Sequence, residues 1–434
     1  MNIGGGVNLD LKGVVVILVV VALLVIGAYT LGISQNPTNI IIKDSVPSLE
    51  LSSPMSSDVA VSSANIAPKN TSVVTPSSHV TPAKSLLPEQ KEALRFAHFR
   101  VGNRNVKGMY ADGNTVWVGT SGGVIRYDLL TDQYKLFDVA NGSLLSNGVF
   151  HVSKLDERIV VGTYGGGLSL YNLQTKTWKN YNIPDGLADQ FVYDVQKVAS
   201  GDVWIATWSG VNQVINGELD NPDKWIIHDV ENTQGGLPNE WVYGLEEDKD
   251  GVMWFATEKG LAQFKNGQWR NWQHEHGLGA AYELVKDDIA FKQDPSKASD
   301  HHARQKVEQG MSRVNVAYNP NYIVSLKVDR NGIVWCGTWG GGLARFDGES
   351  WRNFTVKDGL PANHVFMLDL DKEGQLWMGT SHGLAKLNDD GESFTVMTRN
   401  DGLYADNVFS MAEAGDGTLW VGSFGGVARL NLPL

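Results

Sequence analysis

Seven side chains of mixed chemistry follow seven copies of one short phrase in this sequence. The phrase is an apolar residue, usually Trp, then an apolar residue or Cys, then Gly or Ala, then Thr or Ser. The residues one or two positions after it are Ser121, Tyr164, Trp208, Glu258, Trp339, His382 and Phe424. Aromatic faces stack on apolar ligand surfaces, and acids or imidazoles fix orientation or move protons. This set therefore suits the binding of a sugar or a peptide.

A second group of amide, acidic and aromatic residues lies in the connections between the repeats. It comprises Asn105, Asn147, Gln190, Asn239, Trp241, Asn363, His364, Asp406 and Asn407. The alternative for each Asn or Asp is that its side chain only builds a turn. From both groups, the predicted ligand- or partner-binding residues are Tyr164, Trp208, Trp241, Glu258, Trp339, His364, His382 and Phe424.

Catalysis and metal binding have only weak candidates in the sequence. It contains no nucleophile elbow, no His-Glu-x-x-His pair and no phosphate loop. The best acid–base pair is Glu258 with His382, and a role other than catalysis is favoured. For a metal, the grouped histidines are His274, His276, His301 and His302, but adjacent His301 and His302 would point to different sides of a helix. We therefore expect solvated polar surface there, with no metal and no cofactor.

The spacing of the phrase predicts the elements that position these residues. Its closing Thr or Ser recurs at intervals of 43, 44, 50, 81, 42 and 43 residues. Each unit reads as four short strands separated by turn signals, and such units are stable only when neighbours stack. The sequence predicts a seven-bladed, all-β propeller over residues 93–434. Residues 95–100 would supply the missing outer strand of the last blade and close the ring.

The repeated Trp and Thr of the phrase have a structural interpretation. Trp117, Trp204, Trp254, Trp335, Trp377 and Trp420 lie between apolar neighbours, so we expect them to pack between blades. The Thr would satisfy backbone groups. The single cysteine, Cys336, lies in one of these strands and is expected to be core.

The repeat resembles the two-component-regulator propeller family. The segments that carry the resemblance are DGLPANHVFMLDLDKEGQLWMGTSHGLAKL (358–387) and DGLYADNVFSM followed by GDGTLWVGSFGGVARL (401–430). The resemblance implies the extracytoplasmic sensor part of a hybrid histidine kinase. The fold is also similar to virginiamycin B lyase, which implies a propeller enzyme as a further alternative. No kinase, receiver or DNA-binding segment follows the repeats in this sequence, so signalling is expected to need a separate partner.

The longest interval between phrases contains an insertion of about one period, residues 279–318. Its segments 280–294 and 299–311 both look helical, with a break at Asp294-Pro295. The insertion is expected on the loop-rich face, either as a lid over the channel or as a docking surface for a partner.

The first 92 residues suggest a membrane anchor and a spacer. Residues 13–33 form an uncharged apolar run long enough to span a bilayer, and a cleaved signal peptide is the alternative. Residues 1–12 would then be cytoplasmic and residues 34–92, rich in Ser, Thr and Pro, would form a stalk outside. The propeller would lie in the periplasm or outside the cell.

The sequence thus favours an extracytoplasmic propeller that acts as a protein-interaction or scaffold module of a membrane or envelope complex. The alternatives are a sensor of a glycan or peptide that signals through a separate membrane partner, and a lyase or hydrolase with its active site on the loop-rich face. The net charge of −12 argues against nucleic acid as a partner.

Overall fold

The computed structural model describes residues 96–431, and these residues form a β-propeller. The predicted anchor at 13–33 and stalk at 34–92 lie outside the described residues. Within residues 96–431, no helix is both long and apolar enough to cross a bilayer.

Twenty-six strands and two short α-helices make up the described chain. The strands are β1 (Phe96–Asp112), β2 (Thr115–Thr120), β3 (Gly123–Asp128), β4 (Gln133–Phe137), β5 (Val149–Leu155), β6 (Arg158–Thr163), β7 (Leu168–Asn172), β8 (Trp178–Tyr181), β9 (Val192–Lys197), β10 (Val203–Thr207), β11 (Gly210–Val214), β12 (Trp225–His228), β13 (Val242–Glu247), β14 (Met253–Thr257), β15 (Gly260–Lys265), β16 (Gln268–Trp272), β17 (Asn319–Val328), β18 (Val334–Trp339), β19 (Leu343–Phe346), β20 (Trp351–Phe354), β21 (Val365–Leu370), β22 (Leu376–Thr380), β23 (Gly383–Leu387), β24 (Phe394–Met397), β25 (Val408–Glu413) and β26 (Leu419–Leu430). The helices are α1 (Tyr282–Val285) and α2 (Asp300–Glu308).

The predicted count of seven separate blades is wrong. The described residues form five separate four-stranded blades, β5–β8, β9–β12, β13–β16, β17–β20 and β21–β24, and one six-stranded sheet in the order β25-β26-β1-β2-β3-β4. The first and last repeats share that sheet because β1 is continuous over 17 residues. Its beginning pairs with β26 and its end pairs with β2.

The same pairing closes the ring. Residues Phe96–Arg100 pair antiparallel with Leu430–Gly426, so the segment predicted to return to the last repeat does so. The first strands of successive repeats contact one another in a closed cycle through β1, β5, β9, β13, β17, β21 and β25. Sheet edges near the axis are therefore covered by neighbouring repeats.

The repeated phrase forms the core between sheets, as the sequence predicts. Its tryptophans Trp117, Trp204, Trp254, Trp335, Trp377 and Trp420 are at most 5% exposed. A strand buried on both faces needs this near-continuous apolar run. Six threonines of the phrase, Thr120, Thr163, Thr207, Thr257, Thr338 and Thr380, are fully buried and donate their hydroxyls to backbone carbonyls at 2.7–2.9 Å. The Thr hydroxyl therefore adds a hydrogen bond to a carbonyl of the tight turn, and the carbonyls of Gly167 and Gly342 also accept from the amide of their Thr.

The insertion, residues 279–318, is less helical than the sequence predicts. Its first predicted helix, 280–294, is reduced to the four residues of α1, and its second, 299–311, is the nine-residue α2. The predicted break at Asp294-Pro295 is confirmed, since Asp294 caps a single 3-10 turn, Pro295–Lys297, by accepting from the Ser296 amide.

Candidate functional site: an aromatic cavity beneath the insertion

A β-bulge recurs at the same place in all seven first strands. In β5, for example, the register with β6 shifts between Val149 and His151, which leaves Phe150 unpaired. A bulge adds one residue to a strand and re-aims its side chain. The residues at this position are Lys107, Phe150, Tyr193, Tyr243, Val324, Phe366 and Phe409.

All seven of these bulge residues line one cavity of ≈ 490 Å³ at the centre of the first strands. Tyr322 and Trp339 extend the aromatic wall. The rings contact each other edge to face or stacked, as in the Phe150–Tyr193 pair at 4.4 Å and the Tyr193–Tyr243 pair at 4.8 Å between centroids. Such a volume and such a lining are typical of a small-molecule site.

The insertion forms part of the wall of this cavity. Its residues 292–295, with Lys297 and Ala298, line the cavity together with the bulge residues. The segment is held from within, because buried Lys306 on α2 binds Asp294 at 2.7 Å and donates to the carbonyl of Val316 at 3.1 Å. The insertion therefore contributes part of the wall of the cavity at the channel.

Glu258 attaches α2 to the propeller. Its side chain is fully buried, and Oε2 lies 3.0 Å from Nε2 of His301. Oε1 lies 3.3 Å from Nε2 of His302, an approach without hydrogen-bond geometry. Burial lowers the pKa of His302, against the opposing charge of Glu258. A buried carboxylate needs such partners, so the contact ties the insertion to the turn between β14 and β15, where Glu258 lies.

A stack of aromatic rings continues from this contact along the loop-rich face. Trp241 stacks on His301 at 3.7 Å between centroids and on Trp208 at 4.4 Å, with the two indoles 3° from parallel. Trp208 stacks in turn on Phe191, and Tyr164 meets Phe191 edge to face. The fold therefore brings together four predicted binding residues, Tyr164, Trp208, Trp241 and Glu258. The three aromatic rings belong to one stack, which reaches α2 through Trp241, and Glu258 contacts α2 directly.

His364 and Trp339 hold the other end of the insertion. His364 is 1% exposed, and its Nε2 lies 2.7 Å from the carbonyl oxygen of Ala317. Trp339 meets the His364 ring edge to face at 5.2 Å and is itself 7% exposed. Burial lowers the pKa of His364 to about 4, so this ring is neutral at physiological pH.

The remaining predicted residues lie elsewhere. His382 is exposed and lines a second pocket with His98, Arg399 and Tyr404. The acid–base pair Glu258 and His382 is therefore not assembled in one cavity. Phe424 pairs with Asn105 in the six-stranded sheet.

The four histidines considered for a metal have separate contacts. His274 contacts the carbonyl of Leu278 through Nδ1 at 2.7 Å, and His276 Nδ1 accepts from the Gln273 amide at 2.9 Å. His301 and His302 face Glu258. Within residues 96–431, no group of three or more His, Cys, Asp or Glu residues has the arrangement that a metal ion needs.

Charged residues surround the channel next to the cavity. His151 binds Asp194 at 3.0 Å, and Lys327 binds Glu246 at 2.7 Å and lies 3.7 Å from Asp369. Burial raises the pKa of Glu246 to about 7, although Lys327 opposes this. The charges of the first strands are therefore largely paired with each other.

The bulge residues themselves were missed by reasoning from the sequence. A signal was present, because Val followed by Phe or Tyr occurs 14 or 15 positions before the closing Thr or Ser in five repeats. That Val is buried in the core. Alternation along a regular strand does not predict that the next side chain lines the axial cavity; the bulge is needed for that.

Three parts of the chain match the family model described as "Two component regulator propeller", residues 236–259, 317–340 and 359–382. The resemblance drawn from the repeated phrase is thereby confirmed. A comparison with curated protein sequences gives no match.

Solved structures with the same fold include sensor-type propellers and an enzyme. The extracellular domain of BT3049 of B. thetaiotaomicron, named for a hybrid two component system, is 17% identical with a TM-score of 0.58, over 77% of this chain and 42% of that one. The extracellular domain of BT4673 of B. thetaiotaomicron, named for a one component system, is 18% identical with a TM-score of 0.55, over 78% and 40%. This chain thus spans about two fifths of those domains.

The third similar structure is virginiamycin B lyase from Staphylococcus aureus, in a catalytically inactive form with quinupristin. It is 11% identical with a TM-score of 0.53, over 78% of this chain and 99% of the lyase. Likeness at such identity establishes the propeller fold alone.

Proposed function

We propose that this chain is an extracytoplasmic, sensor-type propeller that recognises a ligand in the aromatic cavity beneath the insertion. One observation carries the proposal: the bulge residues of all seven first strands converge on a cavity of ≈ 490 Å³, and the insertion completes its wall. The repeat family and the fold of the two B. thetaiotaomicron extracellular domains support the sensor role.

The cavity favours a sensor over the scaffold role that the sequence puts first. A scaffold presents an outer surface and needs no lined internal cavity, whereas a sensor does. The aromatic residues of the loop-rich face that suggested a docking surface are occupied with each other and with α2. We propose that the bound state is passed to a separate membrane partner through the insertion, which Glu258 holds at α2 and His364 holds at Ala317.

The test is a ligand screen with a variant that fills the cavity. Val324→Phe places a ring at the one bulge position that carries a small apolar side chain. Val396→Phe is the matched control, because Val396 is 37% exposed on an outer strand. The full chain is screened against soluble glycans, short peptides and aromatic acids by the shift in melting temperature.

The proposal requires a compound that raises the melting temperature of the wild type and of Val396→Phe but has little effect on Val324→Phe. A compound that stabilises all three proteins equally binds outside the cavity. That result, or a screen in which no compound stabilises the wild type, would contradict the proposal.

We also propose that residues 13–33 anchor the chain with the propeller outside the cytoplasm. The apolar run in the sequence supports this. Protease added to cells whose outer envelope has been opened, with the inner membrane still sealed, should remove the propeller, and carbonate extraction should leave the chain in the membrane. A variant with Asp placed at several positions of 13–33 should be released, and full protection of the propeller until the inner membrane is broken would overturn the assignment.

A further inference from the structure

One bulge position differs in kind from the other six. Phe150, Tyr193, Tyr243, Val324, Phe366 and Phe409 are aromatic or aliphatic, whereas the first repeat carries Lys107. Its ammonium lies 4.3 Å from the centroid of the Phe150 ring. The ring face attracts this ammonium, but a cation–π contact offsets only part of the cost of removing a charge from water, so an approaching anion would stabilise it further.

The protein supplies no such anion to Lys107. Among the residues that the structure describes, no carboxylate or hydrogen-bond acceptor contacts its Nζ, although the side chain lines the cavity. Burial lowers the pKa of this ammonium to about 8, which is the effect expected of a desolvated and unpaired lysine.

Both carboxylates that line the cavity already have partners. Asp194 binds His151 at 3.0 Å and accepts from the amide of Leu245 at 2.8 Å. Asp294 binds Lys306 at 2.7 Å. The other charges that the wall adds are cationic, namely exposed Lys292 and Lys297 of the insertion. The cavity therefore has a local excess of positive charge within a chain of net charge −12.

We propose that the cavity selects a small carboxylate that carries an aromatic or similarly planar apolar face, with Lys107 as its counter-charge. The planar face packs against the tyrosine and phenylalanine rings of the wall, and the carboxylate approaches the ammonium. This inference rests on the proposed function, because it names the chemistry of the ligand that the same cavity would hold. The chemistry can come from a free aromatic acid or from the carboxyl end of a peptide that finishes in an aromatic residue.

Paired probes separate the charge from the ring. Calorimetric titration of the full chain compares phenylacetate with phenylacetamide for the free acid, and the tripeptide Gly-Gly-Phe with its amide for the peptide end. The variants are Lys107→Met, which keeps the length of the chain without charge, and Lys107→Arg, which keeps the charge. Lys357→Met is the control, because Lys357 is an exposed lysine in the turn Val356–Asp358, away from the cavity lining.

We expect the wild type to bind at least one acid about tenfold or more tightly than its amide. The reason is that a charge-assisted hydrogen bond is stronger than a neutral one. Lys107→Met should lose that preference while binding the amide as the wild type does, and Lys107→Arg and Lys357→Met should keep it. Because the free ammonium titrates at about 8, affinity for the acid should fall roughly tenfold between pH 7 and pH 9 in the wild type but not in Lys107→Arg. Circular dichroism and melting temperature confirm that each variant is folded.

The outcomes distinguish this inference from the proposed function. Equal binding of acid and amide by the wild type, or an undiminished preference in Lys107→Met, overturns the role of Lys107 and leaves the cavity as a ligand site. No binding of any of the four probes overturns the aromatic-carboxylate class. The proposed function fails only if the Val324→Phe screen fails as well.

Discussion

Acid should destabilise this propeller partly through one buried histidine, His364. The ring is 1% exposed, and Nε2 lies 2.7 Å from the Ala317 carbonyl oxygen at the end of the insertion. Burial is the main cause that lowers its pKa from 6.5 to about 4; the charge of His382 acts in the same direction, and the Ala317 hydrogen bond and Asp294 oppose it. The unfolded chain therefore binds a proton at a pH at which the native ring does not.

The difference between the native and unfolded pKa of His364 determines how stability changes with pH. The stability that neutral His364 contributes is fully present above pH 6.5 and is lost as the pH falls from 6.5 to about 4. At pH 4.5 a histidine with these two pKa values reduces the free energy of unfolding by about 2–3 kcal/mol relative to pH 7.5. This is a large share of the total stability of a typical domain.

The perturbation is His364→Gln, because a glutamine amide can still donate to Ala317 but does not titrate. Urea unfolding of the wild type and the variant, followed by tryptophan fluorescence, is measured at pH 7.5 and at pH 4.5. The wild type should lose about 2–3 kcal/mol more than His364→Gln between the two pH values. Acid effects of the carboxylates are common to both proteins and cancel in this double difference.

His276→Gln is the control, since His276 lies in an exposed turn and its change should leave the double difference near zero. Parallel losses in the wild type and in His364→Gln, within about 0.5 kcal/mol, would refute the reasoning. Such a result would mean that His364 is protonated in the native state or that the Ala317 end of the insertion opens before the transition.

Three further predictions concern the core, the channel and the insertion. A Cβ on Gly379 would lie 2.7 Å from a backbone oxygen of the neighbouring repeat, so Gly379→Ala should destabilise by about 2 kcal/mol or more, whereas Gly244→Ala, whose nearest contact is 3.4 Å, should change stability by less than about 0.5 kcal/mol in urea unfolding. Burial raises the pKa of Glu246 from 4.5 to about 7, although Lys327 opposes this, so the stability contributed by its protonated form is present below pH 4.5 and lost as the pH rises through 7. Between pH 5 and pH 8, Glu246→Gln, which does not titrate, should therefore lose less stability in urea unfolding than the wild type, and parallel curves would exclude this. Trp241→Ala removes the ring that stacks on α2, so trypsin should cleave the insertion roughly tenfold faster than in the wild type, and Phe424→Ala, outside that stack, should leave the rate unchanged.

The sequence was sufficient to predict the position of residues whose type fits only one place in the fold. The Trp of the phrase is too large and apolar for any place but the space between sheets, and its Thr satisfies a turn carbonyl. The return of residues 96–100 to the last repeat also followed from the pattern, because the last unit lacks an outer strand. The blade count failed because nothing in the pattern shows that the closing strand continues into the first strand of the next repeat.

The candidate site was harder to predict because its function depends on a backbone irregularity. Aromatic residues at loop positions, such as Trp208 and Trp241, resemble binding residues in a sequence, but the fold uses them to hold α2. The residues that line the cavity lie within strands, where alternation suggests ordinary packing. Only a bulge of one residue turns Phe150 or Tyr193 toward the axis, and it does so at the same place in each first strand.

Because the bulge recurs in every first strand, it also places Lys107 in the wall of the cavity. A single lysine in a strand would normally be read as one that extends to solvent along an apolar stem. The register places it at the position held by aromatic rings in five of the other repeats, and its ammonium lies 4.3 Å from the centroid of the Phe150 ring in the wall of the cavity. A repeat protein can change one side chain of a ring without disturbing the others, because each repeat contacts only its neighbours. One charged residue, Lys107, among six aromatic or aliphatic ones can therefore determine which ligand binds without altering the other repeats. The cavity is large enough to hold a small ligand beside it.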